Sequence, residues 1–454
     1  MVFKAFALDL QFVPTYSLIS ANNIMKTNKT LLSTAVAFGL LSSANLANAA
    51  GFQLAEYSAT GLGRAYAGEA AMADNASAQW RNPAMLTYLE GTQVSVGAIY
   101  VNPNIDVEGE MHVGNGISLP ASAKDFAHDA IIPNLYIAHR YNDQLAIGFA
   151  LGTNYGMETD LGKEFAGSNF GNEASVISKE ANLNIGYQLN EQIAVGGGVR
   201  YIVAEGSFGA SIPPQGGNLG GTTLKYMEGD DTAWGWQIGS SWQIDDNHRL
   251  GFTYKSAVDL KLEGYAKGLG FNKTAPNSHK DGSMALTLPA TAELASFHKL
   301  SDKFSVHASV NWTDWSSFEE LVADFPNEQS DLIKKENWKD NYRFAIGSTY
   351  QMNPKWALRT GVAYDTSAVS EENRTATIPE TDRLWLSIGT SYELGQQLTI
   401  DTGFTYIFAK DAKMYESRDP NADPFNDPAD FGGEFSGEVT GNVWLIGVQA
   451  NYRF

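Results

Sequence analysis

Six arginines stand on the polar faces of alternating segments: Arg200, Arg249, Arg343, Arg359, Arg383 and Arg453. Successive side chains of a strand point to opposite faces, so residues two apart share a face. A guanidinium keeps its charge and grips a carboxylate with a two-pronged fork. These arginines can therefore hold an anion. They can equally pair with acids of the chain itself, of which Asp365, Glu393, Asp401, Glu69 and Asp74 are the candidates. Other chemistry is poorly provided for. The histidines at 112, 128, 139, 248, 279, 298 and 307 are scattered, with no metal-type i, i+4 pair, and no G-x-S-x-G elbow exists. His307 shares a face with Ser305 and Ser309, which alone is not a site. The chain has no cysteine, hence no disulfide and no thiolate. No metal or other cofactor is implied. A catalytic triad can assemble from distant positions, so an enzyme is disfavoured rather than excluded.

The elements that carry these arginines read as strands. From Ala233 to Ile244, residues Trp234, Trp236, Ile238, Trp242 and Ile244 fall on one face, against Gly235, Gln237, Gly239, Ser241 and Gln243 on the other. Tyr342, Phe344, Ile346, Tyr350 and Met352 repeat the pattern, as do Leu398, Ile400, Phe404, Tyr406 and Phe408. In a soluble sandwich the apolar face would be core. A recurring Gly/Ser/Gln face instead indicates a barrel with apolar exterior and polar lumen. Tight turns at Asn142-Asp143, Asn190-Glu191, Asp245-Asp246-Asn247, Ser301-Asp302, Asn353-Pro354 and Gly395-Gln396 alternate with long irregular segments near 102–130, 157–175, 206–231, 263–282, 316–339, 366–382 and 411–436. Short turns on one side and long loops on the other are the mark of outer-membrane barrels. The alternation predicts about fourteen strands, all-β and antiparallel, over residues 91–454. On that sidedness Arg200, Arg343 and Arg383 lie in the outer half of the lumen. The last strand presents Trp444, Ile446, Val448, Ala450, Tyr452 and Phe454 on one face.

Two segments fall outside the pattern. Residues 25–49 have a basic start, a short apolar run and Ala47-Asn48-Ala49, which reads as a cleaved secretory signal peptide. Residues 1–24 are an upstream extension. Residues 50–90 are rich in Ala and Gly and broken at Asn82-Pro83, so they predict a compact hatch filling the barrel. A net charge of −20, from 31 basic and 51 acidic residues, argues against nucleic acid.

The residues then resemble the FadL family of outer-membrane long-chain fatty acid transporters. The likeness rests on Gly51-Phe52-Gln53-Leu54, Gly61-Leu62-Gly63-Arg64-Ala65-Tyr66 and Arg81-Asn82-Pro83-Ala84. Further on it includes Thr153-Asn154-Tyr155-Gly156, Asp314-Trp315-Ser316 and Asp382-Arg383-Leu384-Trp385-Leu386-Ser387. The resemblance implies a fourteen-stranded barrel with an amino-terminal hatch holding Asn82-Pro83-Ala84. It implies that Asn154, Tyr155 and Gly156 form an inward kink of the third strand, through which cargo leaves sideways into the membrane. The implied partners are long-chain fatty acids or other hydrophobic small molecules, outer-membrane lipids, and the barrel-assembly machinery, which reads the carboxy-terminal Phe454. The pocket cations of the family align with Ala210 and Val322, neither of them basic. Arg200, Arg343 and Arg383 are the replacement candidates for an anionic headgroup. Phe165, Phe170, Phe208, Ile212 and Leu219, with Pro213 and Pro214, are candidates for a first capture groove in the loops, or for loop residues packed on one another. Relatives that pass monoaromatic hydrocarbons are the nearest alternative.

Overall fold

The computed structural model describes residues 51–113, 116–418 and 432–454. The leader, the upstream extension and the 419–431 part of the last long loop lie outside the described residues.

Twenty-one antiparallel strand segments form one sheet. Six pairs of segments are halves of one interrupted strand, such as Leu145–Gly152 with Gly156–Asp160 and His248–Lys255 with Val258–Lys267. Ile117–Ala123 is a hairpin arm on Thr92–Val113. Fourteen wall strands remain. Thr92–Val113 pairs with Ala130–Arg140 on one side and with Gly433–Arg453 on the other, so the sheet is a closed barrel. Closure leaves no unpaired edge, which is the condition for a sheet to stand in hydrocarbon.

The alternation seen in the sequence is the radial direction in the barrel. Trp234 is 69 % exposed and Ile346 70 %, while their neighbours Gly235 and Ala345 are buried. The expected turns join the strands at one end. At the other end the long segments are more ordered than expected. Ile193–Ser211 and Thr223–Asp245 continue as a ladder deep into 206–231, and Thr92–Val113 runs well past 102. Above the membrane the outer face is no longer apolar, so the alternation that marks a strand is lost although the backbone still pairs.

Residues 51–89 occupy the lumen as short helical turns, Ala59–Leu62, Glu69–Ala71, Ala78–Arg81 and Pro83–Tyr88. At the last of these, extended Asn82 caps the turn by accepting from the Ala84 amide at 3.0 Å, and Pro83 fills the first position, where a missing amide hydrogen costs nothing. The Asn82 amide donates to Ala70 at 2.6 Å and to the wall at Ser240 at 3.0 Å. This close approach requires wall glycines. A Cβ on Gly239 would lie 1.9 Å from Asn82, and one on Gly196 2.4 Å from the Ala84 nitrogen.

Arg64 ties the segment together. It is 1 % exposed and donates to Glu69 at 2.9 and 2.6 Å and to Asp74 at 2.7 Å. The following Ala65 and Tyr66 hold positive φ of 53° and 51°, which side-chain-bearing residues rarely adopt. The Arg343 guanidinium donates to the Ala65 carbonyl at 2.9 Å and so pins this turn to the wall.

Candidate functional site

The amino-terminal arm of the hatch reaches the third wall strand. Leu54 donates its amide to the Asn154 carbonyl at 2.7 Å, and Gly156 donates to the Phe52 carbonyl at 2.7 Å. Tyr155, between them, faces the other way: Ser178 donates to its carbonyl at 3.0 Å, and its own amide donates to the Ser178 hydroxyl. The alternate backbone groups at 154 and 156 thus point where the second strand should lie, and the hatch takes them.

Ladder registers locate the gap. The second and third strands pair from Leu135 opposite Leu151 to Arg140 opposite Ala146, and bridge again only at Ala127 opposite Thr159. Toward the fourth strand the ladder continues but slips. Gly152 faces Glu180 while Gly156 faces Ile177, one extra residue in the third strand. Such a bulge bends a strand. Asn154, Tyr155 and Gly156 therefore lie at a bulge, with a break in the pairing toward the second strand beside it.

Buried polar groups hold the bend. Glu180 accepts from the Asn154 amide at 2.5 Å and from Arg200 twice at 2.8 Å. Lys255 stands 3.5 Å from the Asn154 oxygen and 4.7 Å from the Trp80 ring. Arg81 and Glu293 pair at 3.1 Å across the same layer.

Above this polar layer the lumen is apolar. Phe52 is 1 % exposed in a cage of Trp315, Phe318, Trp338 and Tyr155, with ring centroids at 4.5, 5.8, 6.0 and 6.1 Å. Gly51 turns at φ +61°, and a Cβ there would lie 2.5 Å from Trp315. Gly51→Ala is expected to cost about 3 kcal/mol in left-handed strain and overpacking. Hydrogen exchange would show it as faster exchange at Leu54 and Gly156 than elsewhere in the barrel.

Beside the cage lies a small apolar cavity bounded by Phe52, Met157, Phe208, Leu262, Leu286 and Phe318, among others. Two ionisable groups reach it, Lys334 and Glu336. Lys334, on the short strand Asp331–Lys335, is 13 % exposed. It is 3.7 Å from Glu416, and its ammonium makes no hydrogen bond. Glu336 accepts from Trp338 Nε1 at 2.9 Å through one oxygen, and its other oxygen has no partner. Burial pushes its carboxyl above the usual carboxylate range, against the pull of Lys334.

The sequence-derived candidates distribute as follows. Arg64, Asn82, Pro83 and Ala84 lie inside the lumen, with Gly51 and Phe52 at the cage. Arg200 is bound to Glu180. Arg343 pairs with Asp365 at 2.9 Å and lines a separate, lower cavity with Arg81 and Gln53. Arg383 is buried with Nη1 unpartnered. None of the three lines the upper cavity. The loop residues do not share one groove. Phe165 and Phe170 pack with Phe126 and Phe435 in one cluster, Phe208 and Ile212 belong to the cluster around the upper cavity, and Leu219 is exposed. His307 stacks on Phe297 and bonds Thr349 at 3.0 Å within the wall, while Ser309 accepts the Gly68 amide of the hatch. Lys334 is not marked in the sequence, because its strand is five residues long and shows no period-two pattern.

Comparison with known proteins agrees with this architecture. The family model described as "Outer membrane protein transport protein (OMPP1/FadL/TodX)" matches residues 40–454. The "Long-chain fatty acid transport protein" of Escherichia coli O6:H1 is 33 % identical over 460 residues, covering 94 % of this chain and 99 % of that one. Among solved structures, a FadL homologue of Pseudomonas aeruginosa superposes with a TM-score of 0.78 at 21 % identity, covering 89 % of this chain and all of that one. The toluene transporter TbuX of Ralstonia pickettii gives 0.62 at 19 %, again covering 89 % and 100 %. The chain belongs to the OMPP1/FadL/TodX family of outer-membrane transport proteins, and its barrel sits in the outer membrane of a Gram-negative cell.

Proposed function

We propose that the protein takes up long-chain fatty acids and similar hydrophobic compounds by passive diffusion, gated by the hatch, with lateral release into the membrane at the bend of the third strand. The members of the family are transporters and channels rather than enzymes. The observation that carries the reading is the layering of the lumen: an apolar cavity with one ammonium at its wall, a charged floor beneath it, and a break in the wall at the boundary. Each methylene taken from water gains about 0.8 kcal/mol. An acyl chain in this cavity loses that gain if it moves down through Lys255, Glu180 and the Arg81–Glu293 pair. It keeps the gain if it slides sideways into lipid, and no energy source is needed. In this reading Lys334 receives the carboxylate.

A second reading is uptake of neutral monoaromatic hydrocarbons. It is favoured by Glu416 and Glu336, which stand ready to balance the Lys334 charge without any ligand. One measurement separates the two. In detergent, Lys334→Ala is expected to weaken palmitate binding about ten- to a hundredfold, the worth of about 1.5–3 kcal/mol for a hydrogen bond to a charged group. Toluene binding is expected to be unchanged. Wild-type protein that binds toluene and ignores palmitate would decide for the second reading.

A further inference from the structure

Asn134 stands at the edge of the gap between the second and third strands. Its own strand, Ala130–Arg140, keeps the ladder to the first wall strand, with Asn134 opposite Gly97. Toward the third strand the last pair before the gap is Leu135 opposite Leu151, and Asn134 is the next residue along. Carried one step further, that register would set it against Gly152, which has no side chain. Asn134 faces the lumen with Ile132 and Tyr136 and is 2 % exposed. Ala130 and Ile132, the other inward residues of this stretch, are apolar. Neither the nitrogen nor the oxygen of the Asn134 side-chain amide has a partner among the described residues. A buried amide left so costs stability, and its two free atoms call for a partner from outside the chain. The hatch covers the spot. The Trp80 ring lies against Gly152, where a Cβ would come within 3.0 Å of it, and 6.0 Å from the Tyr136 ring.

We propose that Asn134 is a headgroup site at the lip of the lateral opening, taking the protonated carboxyl of a long-chain acid on its way into the membrane. The proposal rests on the fatty acid reading and on lateral release, and deepens both. The two free atoms decide the class of ligand. One donates and the other accepts, side by side. A protonated carboxyl does the same in reverse, so acid and amide close a ring of two hydrogen bonds. A carboxylate only accepts and leaves the amide oxygen unpaired, and a hydrocarbon offers neither bond. An ionised headgroup is also the costlier one to carry into hydrocarbon. The carboxylate held at Lys334 therefore takes up a proton from the aqueous side, R–COO⁻ and H⁺ giving R–COOH, before it enters the gap. Withdrawal of the hatch turn Ala78–Arg81 carries Trp80 away and uncovers the amide. The amide then keeps the carboxyl hydrogen-bonded while the chain crosses between apolar walls.

Asn134→Leu tests this, because it removes both free atoms at nearly constant volume. The variant is expected to assemble and to unfold at no lower temperature than the wild type, since it buries no unpaired group. Palmitate binding by the purified full-length protein in detergent is expected to stay within about twofold, as Lys334 is untouched. Palmitate uptake by cells that rely on this protein is expected to fall about tenfold, the worth of two hydrogen bonds. Asn182 on the fourth strand is the control. Its amide is equally without a partner among the described residues, but it sits in an unbroken ladder between Ala150 and Arg200. Asn182→Leu is expected to leave uptake unchanged. Unchanged uptake in Asn134→Leu would mean that the amide holds only water, and would overturn the site. An equal loss in Asn182→Leu, or a loss of binding as large as the loss of uptake, would overturn it too. If Asn134→Leu does not assemble, Asn134→Ala is read in the same way. A wild type that takes up no palmitate removes the fatty acid reading and the site together, whereas palmitate uptake indifferent to Asn134→Leu removes the site alone.

Discussion

Arg64→Ala is expected to unseat the hatch while leaving the barrel intact. Arg64 is the cation bound to both Glu69 and Asp74, and removing one member of a buried pair costs about 3–5 kcal/mol because the remaining charge has nowhere to go. Arg359 reaches Asp74 only at 3.9 Å and is shared with Asp401, so it is a poor substitute. The left-handed turn at Ala65 and Tyr66 adds strain that the same anchors now offset. A cylinder of fourteen strands is too wide for its own side chains to fill. A loosened hatch therefore means leakage. Planar-bilayer conductance should rise well above the wild-type level, and cells should become sensitive to large antibiotics. Arg64→Lys keeps the charge without the fork and should fall between. Unchanged conductance of Arg64→Ala would show that the hatch is held by its packing alone.

Deleting Asn154 is expected to abolish uptake without abolishing binding. The third strand carries one residue more than the fourth strand can pair with, and its removal brings Gly156 into the register already held by Leu145–Gly152. The bulge is then gone, and the ladder to the second strand can run through the present gap. The cavity lies above this level and keeps its lining, apart from the arm at Phe52. Palmitate binding in detergent should stay within about tenfold of wild type, whereas growth of cells on long-chain fatty acid as sole carbon source should fall to the level of a strain lacking the protein. Full growth of the deletion strain, with a crystal structure showing an unbroken wall at this point, would end the case for lateral release. A binding loss as large as the uptake loss would place the defect in the cavity instead.

The barrel was legible because a membrane-spanning strand must alternate. Trp234, Trp236 and Ile238 announce the outside, and Gly235 and Gln237 the inside, with no knowledge of neighbours. Whatever depends on register across strands was not legible. The sequence allowed Arg200 an acid of the chain itself but did not single out Glu180, which comes within reach only once Asn182 is placed opposite Arg200. Arg343 meets Asp365 as its direct cross-strand partner, which was among the candidate acids. Lys334 escaped for a different reason. It sits on five residues of strand above the membrane, where outward faces need not be apolar and the period-two signal fades. The hatch was legible through its Ala/Gly-rich composition and the break at Asn82-Pro83, but its bond to the third strand was not. Phe52 and Leu54 act there through backbone atoms, which any residue type possesses.

The seam of the cylinder runs from Gln93 opposite Arg453 to His112 opposite Glu434. It therefore joins the first wall strand made by the ribosome to the last. Nothing can be sealed until synthesis is finished, and contacts so distant along a chain are slow to form. The hatch hangs from the early side of that seam and ends up behind it. It must be folded inward while the sheet is still open, since its helical turns are wider than any later breach. Enclosure and sealing are one event, so a chain that cannot place its hatch before closure should appear as unassembled material awaiting proteolysis in the periplasm, whereas a hatch loosened after closure, as in Arg64→Ala, leaves a finished barrel.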